Sequence, residues 1–250
     1  MSFLLVPTIA TPLLKIPLLL GHAVCTYQGM TPPRSPPQTD EQKRFAIPDY
    51  MTRTTAVQLA VTAIAKYALC SVAVFEAGAL LARAHPSPVS DRILSALFPY
   101  GAAHADGLCI TPLGTAACVL GITGGFIRIW CHRTLGKLFT WQMAVQDDHK
   151  LVTSGPYSFV RHPSYTGWVL MVAGNFVLLL SKGSYFVEAG LWTRMTDKIF
   201  GVAVMGYLTF VSVSLVSRVA KEDAVLSKEF GAQWDEWAKR TPYRLIPYIY

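Results

Sequence analysis

SGPYSFVRHPSYTGWVLMVAGNFVLLL, residues 154–180, is the stretch that decides the fold. From Tyr165 onward it carries no charge. About 20 apolar residues in a helix cross a bilayer core, so residues 165–181 read as a short but clean membrane segment. Just before it stand Arg161, His162 and Pro163, two possible cations and a helix breaker. Proline suits the first helical position, where its missing N–H is no loss. The stretch is therefore a polar turn at a membrane surface, followed by a helix that Pro163 starts.

Working outward, three more segments have the same character: 54–82, interrupted by Lys66 and Glu76, then 111–130, then 199–217. Lys66 and Glu76 should line the bundle interior, or Lys66 should snorkel to the surface. The run from Phe3 to Val24 is apolar but broken by Pro7, Pro12, Lys15 and Pro17. It lacks a basic start and a small-residue cleavage site, so a cleaved signal peptide is not expected. A kinked first membrane helix is expected instead, since prolines are tolerated where neighbours satisfy the freed carbonyls. The fold class is all-α: a multi-pass integral membrane helix bundle of about five membrane helices.

Composition agrees. Of 250 residues, 52% are hydrophobic and 15% charged, against roughly 25% charged in soluble domains. The net charge is +7. The basic residues are scattered and no nucleic-acid motif is present, which argues against that class of partner. Cysteines 25, 70, 109, 118 and 131 form no CxxC pair. They read as small buried hydrophobes, with no disulfide framework and no metal. The closing Ile-Pro-Tyr-Ile-Tyr is not a lipidation box.

Residues 1–53 form a first helix and a proline-rich polar linker. Residues 54–130 hold two membrane helices with their connecting loop. Residues 131–250 hold a loop over 142–165, a helical hairpin over 165–217, and an amphipathic helix and tail over 218–250. In segment 111–130, Ala117, Gly121 and Gly125 recur every four residues, a face on which backbones can approach closely. Basic residues crowd the 131–164 connection and the tail after 217, which assigns both to the cytosol. In the tail, Val219, Leu226, Phe230, Trp234 and Trp237 fall near one helical face, suited to the headgroup layer. Pro242 should end that helix.

Three polar stretches then meet at one membrane face: 141–165, SRVAKEDAVL from Ser217, and KRTPYRLIPY from Lys239. Arg218 and Glu222, four apart, share one helix face. Ionisable groups at membrane depth carry function by default. Taken alone, Arg161 reads first as an anchor for lipid phosphate or a positive-inside charge.

As a set, these stretches resemble the isoprenylcysteine carboxyl methyltransferase family. The resemblance lies in HKLVTSGPYSFVRHPSYTGW from His149 to Trp168, in Arg218 with Glu222, Asp223 and Phe230-Gly231, and in Lys239-Arg240-Thr241-Pro242 with Ile246-Pro247. LGKLFTW, Leu135 to Trp141, extends it. It covers about the last 125 residues. Asp223 stands where the family often has glutamate, and the N-terminal half carries no matching motif. The resemblance implies a cytosolic S-adenosyl-L-methionine pocket built from Gln142, His149, Lys150, Leu151, Val152, Tyr157, His162, Pro163, Ser164, Tyr165 and Glu222. It implies Arg218 and Glu222 as catalytic residues, and Arg218, Arg161 and Arg240 as contacts for the substrate. It further implies an endoplasmic reticulum membrane enzyme acting on the prenylated C-terminal cysteine of small GTPase-like or other CaaX proteins.

The chemistry is consistent with that. A C-terminal carboxylate has a pKa of about 3.5 and is already ionised, so methylation needs positioning and desolvation rather than a base. A guanidinium fork suits a carboxylate. It would not deprotonate an amine, which disfavours the alternative, a phosphatidylethanolamine N-methyltransferase. A non-enzymatic membrane protein is the third reading.

Overall fold

The computed structural model describes residues 12–33, 55–139 and 150–250. Eight helices are found among them. They are α1 (Lys15–Gly29), α2 (Thr55–Ala84), α3 (Pro88–Leu97), α4 (Pro112–Leu135), α5 (Pro163–Leu180), the single turn α6 (Tyr185–Glu188), α7 (Met195–Phe230) and α8 (Ala232–Arg240). No strand occurs among the described residues. Four stretches are long and apolar enough to cross a membrane: Ala56–Ala84, Pro112–Leu138, Pro163–Glu188 and Met195–Phe230. The expected all-α multi-pass bundle is what forms.

The helix starts follow local chemistry. Thr111 caps α4 by accepting from Gly114 N at 2.9 Å, with Pro112 next in line. Ser87 does the same for α3, accepting from Ser90 N at 3.1 Å ahead of Pro88. Each cap satisfies a backbone donor that the first turn leaves without a partner.

Helix α1 has 15 residues, about 22 Å, and is not among the four crossing candidates. Pro17 sits in its first turn, where its missing N–H breaks nothing. Of the expected first helix, residues 3–11 lie outside the described residues. The described part packs against α2 and α4.

The bundle centre is α1, α4 and α5, held at backbone contact by small residues. A Cβ on Gly124 would lie 2.4 Å from Gly167 O, and one on Gly174 would lie 2.5 Å from Ala117 O. On the α1 side, a Cβ on Gly121 would strike the His22 ring and one on Gly125 would strike Cys25. The Ala117, Gly121, Gly125 face therefore does pack, wedged between α1 and α5. Across that seam His22 Nε2 meets Asn175 Oδ1 at 3.1 Å, and Asn175 Nδ2 donates to Thr26 Oγ1 at 3.1 Å.

The interior cations are accounted for. Lys66 is buried, donates to Thr31 Oγ1 at 3.0 Å, and lies over the rings of Tyr27 and Tyr67 at 4.3 and 4.9 Å. Glu76 is fully buried and paired with Lys15 of α1. Lys15 also donates to Cys109 O and Gly183 O, at 3.0 and 2.7 Å, while Glu76 accepts from Tyr185 N at 2.9 Å. Both residues line the interior, the first of the two expectations. The Lys15–Glu76 pair ties α1, α2, the start of α4 and the turn after α5 together at one end of the bundle.

One boundary differs from expectation. The last membrane segment was expected over 199–217, followed by a separate tail helix. Instead α7 runs unbroken for 36 residues, to Phe230. Its polar part, RVAKEDAVLSKEF, contains good helix formers and no breaker. Gly231, at φ +48°, ends it by adopting a backbone conformation that a side chain would disfavour.

Candidate active site

At the end of the bundle opposite Lys15, three segments close on one another. The first is the turn before α5. Gly155–Ser158 forms a 3-10 turn, and Pro163 opens α5 with His162 as the residue before it. The second is α7, which brings Arg218, Glu222 and Asp223 to the same level. The third is the chain after α8, which lies along the turn. Arg161 N donates to Tyr243 O at 2.9 Å, His162 N to Arg244 O at 2.8 Å, and Thr166 Oγ1 to Leu245 O at 2.6 Å.

His162 is the meeting point. It is buried, and its Nε2 lies 2.9 Å from Asp223 Oδ1. Its Nδ1 lies 3.9 Å from Glu222 Oε2. Tyr165, one turn into α5, stacks on the His162 ring at 5.6 Å and donates its hydroxyl to Glu222 Oε2 at 2.6 Å. The other Asp223 oxygen, Oδ2, accepts from Arg244 Nε at 3.1 Å and lies 3.5 Å from Arg161. One buried carboxylate thus gathers a histidine and two arginines from different parts of the chain. A buried charge of this kind persists only when it is paired and hydrogen-bonded.

Helix α8 braces the turn from outside. Trp237 is buried and donates Nε1 to Tyr157 O at 3.1 Å. Trp234 lies under the Arg161 guanidinium, 5.5 Å from it. Trp237 is thus buried on the turn, while Trp234 is half-buried beside it. Tyr157, Cys131 and Trp237 form a small buried core, with Leu151 and Val152 packed against it. Burial, then the neighbouring Cys131 thiol, pushes the Tyr157 phenol well above its ordinary range, so it stays protonated.

Of the residues expected from sequence, His162, Pro163, Ser164, Tyr165, Glu222 and Arg218 come together here. Tyr157, Leu151 and Val152 lie beside them, and Lys150 is exposed at the edge. Arg218 is buried one turn before Glu222 on α7. Arg161 has its guanidinium on Asp223, on Pro242 O at 3.3 Å and on Trp234. Arg240 is exposed at the end of α8. Gln142 and His149 lie outside the described residues.

Three residues here carried no site role in the sequence reading. Asp223 was noticed only as a motif neighbour, and Arg244 only as tail charge. Arg128, on α4, was passed over inside an apolar segment. Its side chain is buried beneath the start of α5. Nε donates to Gly29 O at 2.6 Å, and Nη1 donates to Ser164 O and Ser164 Oγ at 3.1 and 3.0 Å. A lone cation within an apolar run was the signal available.

The donor set could hold a group that carries an ammonium, a flat ring and apolar surface. Glu222 keeps 31% of its side chain exposed, so an anionic oxygen is open to an ammonium. Tyr165 and His162 offer stacked rings, and Leu151 and Val152 an apolar wall. No group of residues placed to hold a metal is found among the described residues, and the cysteines are free; Cys118 and Cys131 are buried as expected, Cys25 and Cys70 half-buried, and Cys109, beside the start of α4, is exposed instead.

The fold and site together define a multi-pass helical membrane protein with a charged, histidine-centred site at one end of its bundle. Residues 116–200 match the model of the isoprenylcysteine carboxyl methyltransferase family. The chain is 28% identical over 130 residues to protein-S-isoprenylcysteine O-methyltransferase B of Arabidopsis thaliana, covering 51% of this chain and 56% of that one. It is 32% identical over 143 residues to the protein-S-isoprenylcysteine O-methyltransferase of Xenopus laevis, covering 56% and 42%. It is also 29% identical over 101 residues to the Delta(14)-sterol reductase TM7SF2 of Mus musculus, covering 40% and 20%. The chain spans about half the length of the methyltransferases it matches. The resemblance read from the motifs is thus found again over residues 116–200, which hold the turn before α5 and α5 itself.

Proposed function

We propose that this protein methylates the C-terminal carboxylate of a prenylated cysteine, with S-adenosyl-L-methionine as methyl donor. The observation that carries the reading is the contact of His162 and Tyr165 with Glu222 and Asp223. Two motifs about 60 residues apart in sequence, both of which resemble the family and the first of which lies within its matched residues, meet in one site.

Bound S-adenosylmethionine supplies an electrophilic methyl group. Glu222, with Tyr165 donating to it, would receive the amino group of that cofactor. His162, Pro163, Ser164, Leu151, Val152 and Tyr157 would form the rest of the wall, with Gln142, His149 and Lys150 completing it. Arg218 would pair with the substrate carboxylate through its fork. That carboxylate is ionised at neutral pH, so the site has only to align and dehydrate it. Arg161, tied to Asp223 and Pro242, would hold the turn and the tail together beside the substrate, and Arg240 would offer positive charge at the rim.

The substrate's prenyl chain would stay in lipid while its carboxylate reaches the polar end of the bundle. The basic residues of 131–164 and of the tail support a cytosolic position for that end. The family supports an endoplasmic reticulum location, with prenylated CaaX proteins, such as small GTPases, as substrates.

The test is transfer of label from S-adenosylmethionine by membranes containing the protein. Base-labile label on N-acetyl-farnesyl-cysteine is the expected result. Label in the amine of phosphatidylethanolamine instead would overturn the reading in favour of the lipid N-methyltransferase.

A further inference from the structure

We propose that Arg128 is a positioning residue for the cofactor site, fixing the first turn of α5 to the C-terminal end of α1. The proposal rests on the methyltransferase reading above. It concerns a residue outside every motif that suggested that reading.

The geometry is that of a clamp. Arg128 projects from α4 into the seam between α4 and α5, where a Cβ on Gly167 would lie 3.0 Å from Arg128 Cγ. The same Cβ would lie 2.7 Å from Gly124 O, so α4 and α5 meet there at backbone distance. Its Nη1 reaches Ser164 through both the carbonyl and the hydroxyl. Its guanidinium lies over the Trp168 ring at 5.1 Å, one turn on. Its Nε takes the carbonyl of Gly29, in the last turn of α1. Such terminal carbonyls lack intrahelical partners and carry the negative end of the helix dipole. A cation is the favoured occupant there.

Ser164 stands between the two residues that contact the α7 acids. His162 and Tyr165 both hang from the turn that Arg128 grips, and Tyr165 reaches Glu222 at 2.6 Å. A rotation of this turn by a fraction of a residue would separate the Tyr165 hydroxyl from Glu222. The planar guanidinium fixes two helices at once. An ammonium is a single point of charge and cannot reproduce the fork. Arg128 itself is buried behind the turn and touches neither acid.

The test uses full-length protein in lipid nanodiscs, with Arg128→Lys and Ser164→Ala. In Arg128→Lys, KM for S-adenosylmethionine should rise about tenfold, the scale of one lost hydrogen bond to a charged group. KM for the prenylcysteine and kcat should stay within about twofold of wild type. Ser164→Ala, which removes one acceptor and leaves the guanidinium in place, should shift the cofactor KM in the same direction by less. A purely structural role predicts a different pattern: less folded protein, with both KM values unchanged. That pattern, or an unchanged cofactor KM in Arg128→Lys, would overturn the proposal. The two readings also fail differently. Wild-type protein that binds labelled S-adenosylmethionine but leaves prenylcysteine unmethylated overturns the methyltransferase substrate alone. The Arg128 variants are then compared by cofactor affinity.

Discussion

His162 Nε2 lies 2.9 Å from Asp223 Oδ1, across 61 residues of sequence. The contact joins the start of one membrane helix to the far end of the next. The same carboxylate holds Arg161 and Arg244 on its other oxygen. Removing its charge leaves three donors facing a neutral group.

Asp223→Asn should therefore lower kcat/KM by about 100-fold, the scale on which breaking a buried charge pair is felt. Steady-state methyl transfer checks this. A rate near wild type would show that the gathering of Arg161, His162 and Arg244 is dispensable.

Arg218→Ala should reduce turnover on the order of 100-fold, comparable to loss of one preorganised charge-stabilising contact. Binding of labelled S-adenosylmethionine should survive. Loss of binding in step with turnover would move Arg218 from the substrate side to the cofactor side.

Gly124→Ala should destabilise the bundle by about 1–3 kcal/mol, the usual cost of overpacking. Its Cβ would meet backbone atoms of α5 at 2.4 Å. Gly78→Ala is the matched control, because nothing lies within 4 Å of its added carbon. Thermal unfolding in detergent should separate the two, and equal midpoints would refute the close approach of α4 and α5.

Glu76→Gln should cost about 3–5 kcal/mol, since it leaves Lys15 buried without its counter-charge. A Lys15→Met, Glu76→Gln double variant should recover much of that. The pair lies at the opposite end of the bundle from His162, so turnover per folded molecule should hold in both. Folded yield and specific activity, measured together, decide the point.

Much of this architecture was legible because membrane helices announce themselves by length and polarity. Segments 54–82, 111–130 and 165–181 match Thr55–Ala84, Pro112–Leu135 and Pro163–Leu180 within a few residues. The end of α7 was not legible. Charge after Ser217 marks where lipid stops, not where a helix stops, and Gly231 is the first residue to break the backbone pattern. The RHP turn and the Arg218–Glu222 pair were visible as motifs. Arg244 was not, because its side chain reaches Asp223 only once the backbone carbonyls of Tyr243 and Arg244 have docked the tail on the turn. Backbone contacts leave no residue-type signature. Arg128 was hidden by a count that tolerates one charge in an apolar window.

Helix α7 spans Met195–Phe230 without interruption, about 54 Å of rod in a hydrocarbon layer about 30 Å thick. Its lower part meets acyl chains, and its upper part holds Glu222 and Asp223 against a different helix. Only its apolar stretch, residues 199–217 and about 28 Å long, has to match that layer, and the charged remainder extends beyond it. Because the helix is continuous, the stretch that lipid holds and the acids that meet His162 and Tyr165 belong to one rod. The depth at which lipid seats the apolar part of this one rod therefore sets the height at which Glu222 and Asp223 stand beside the start of α5.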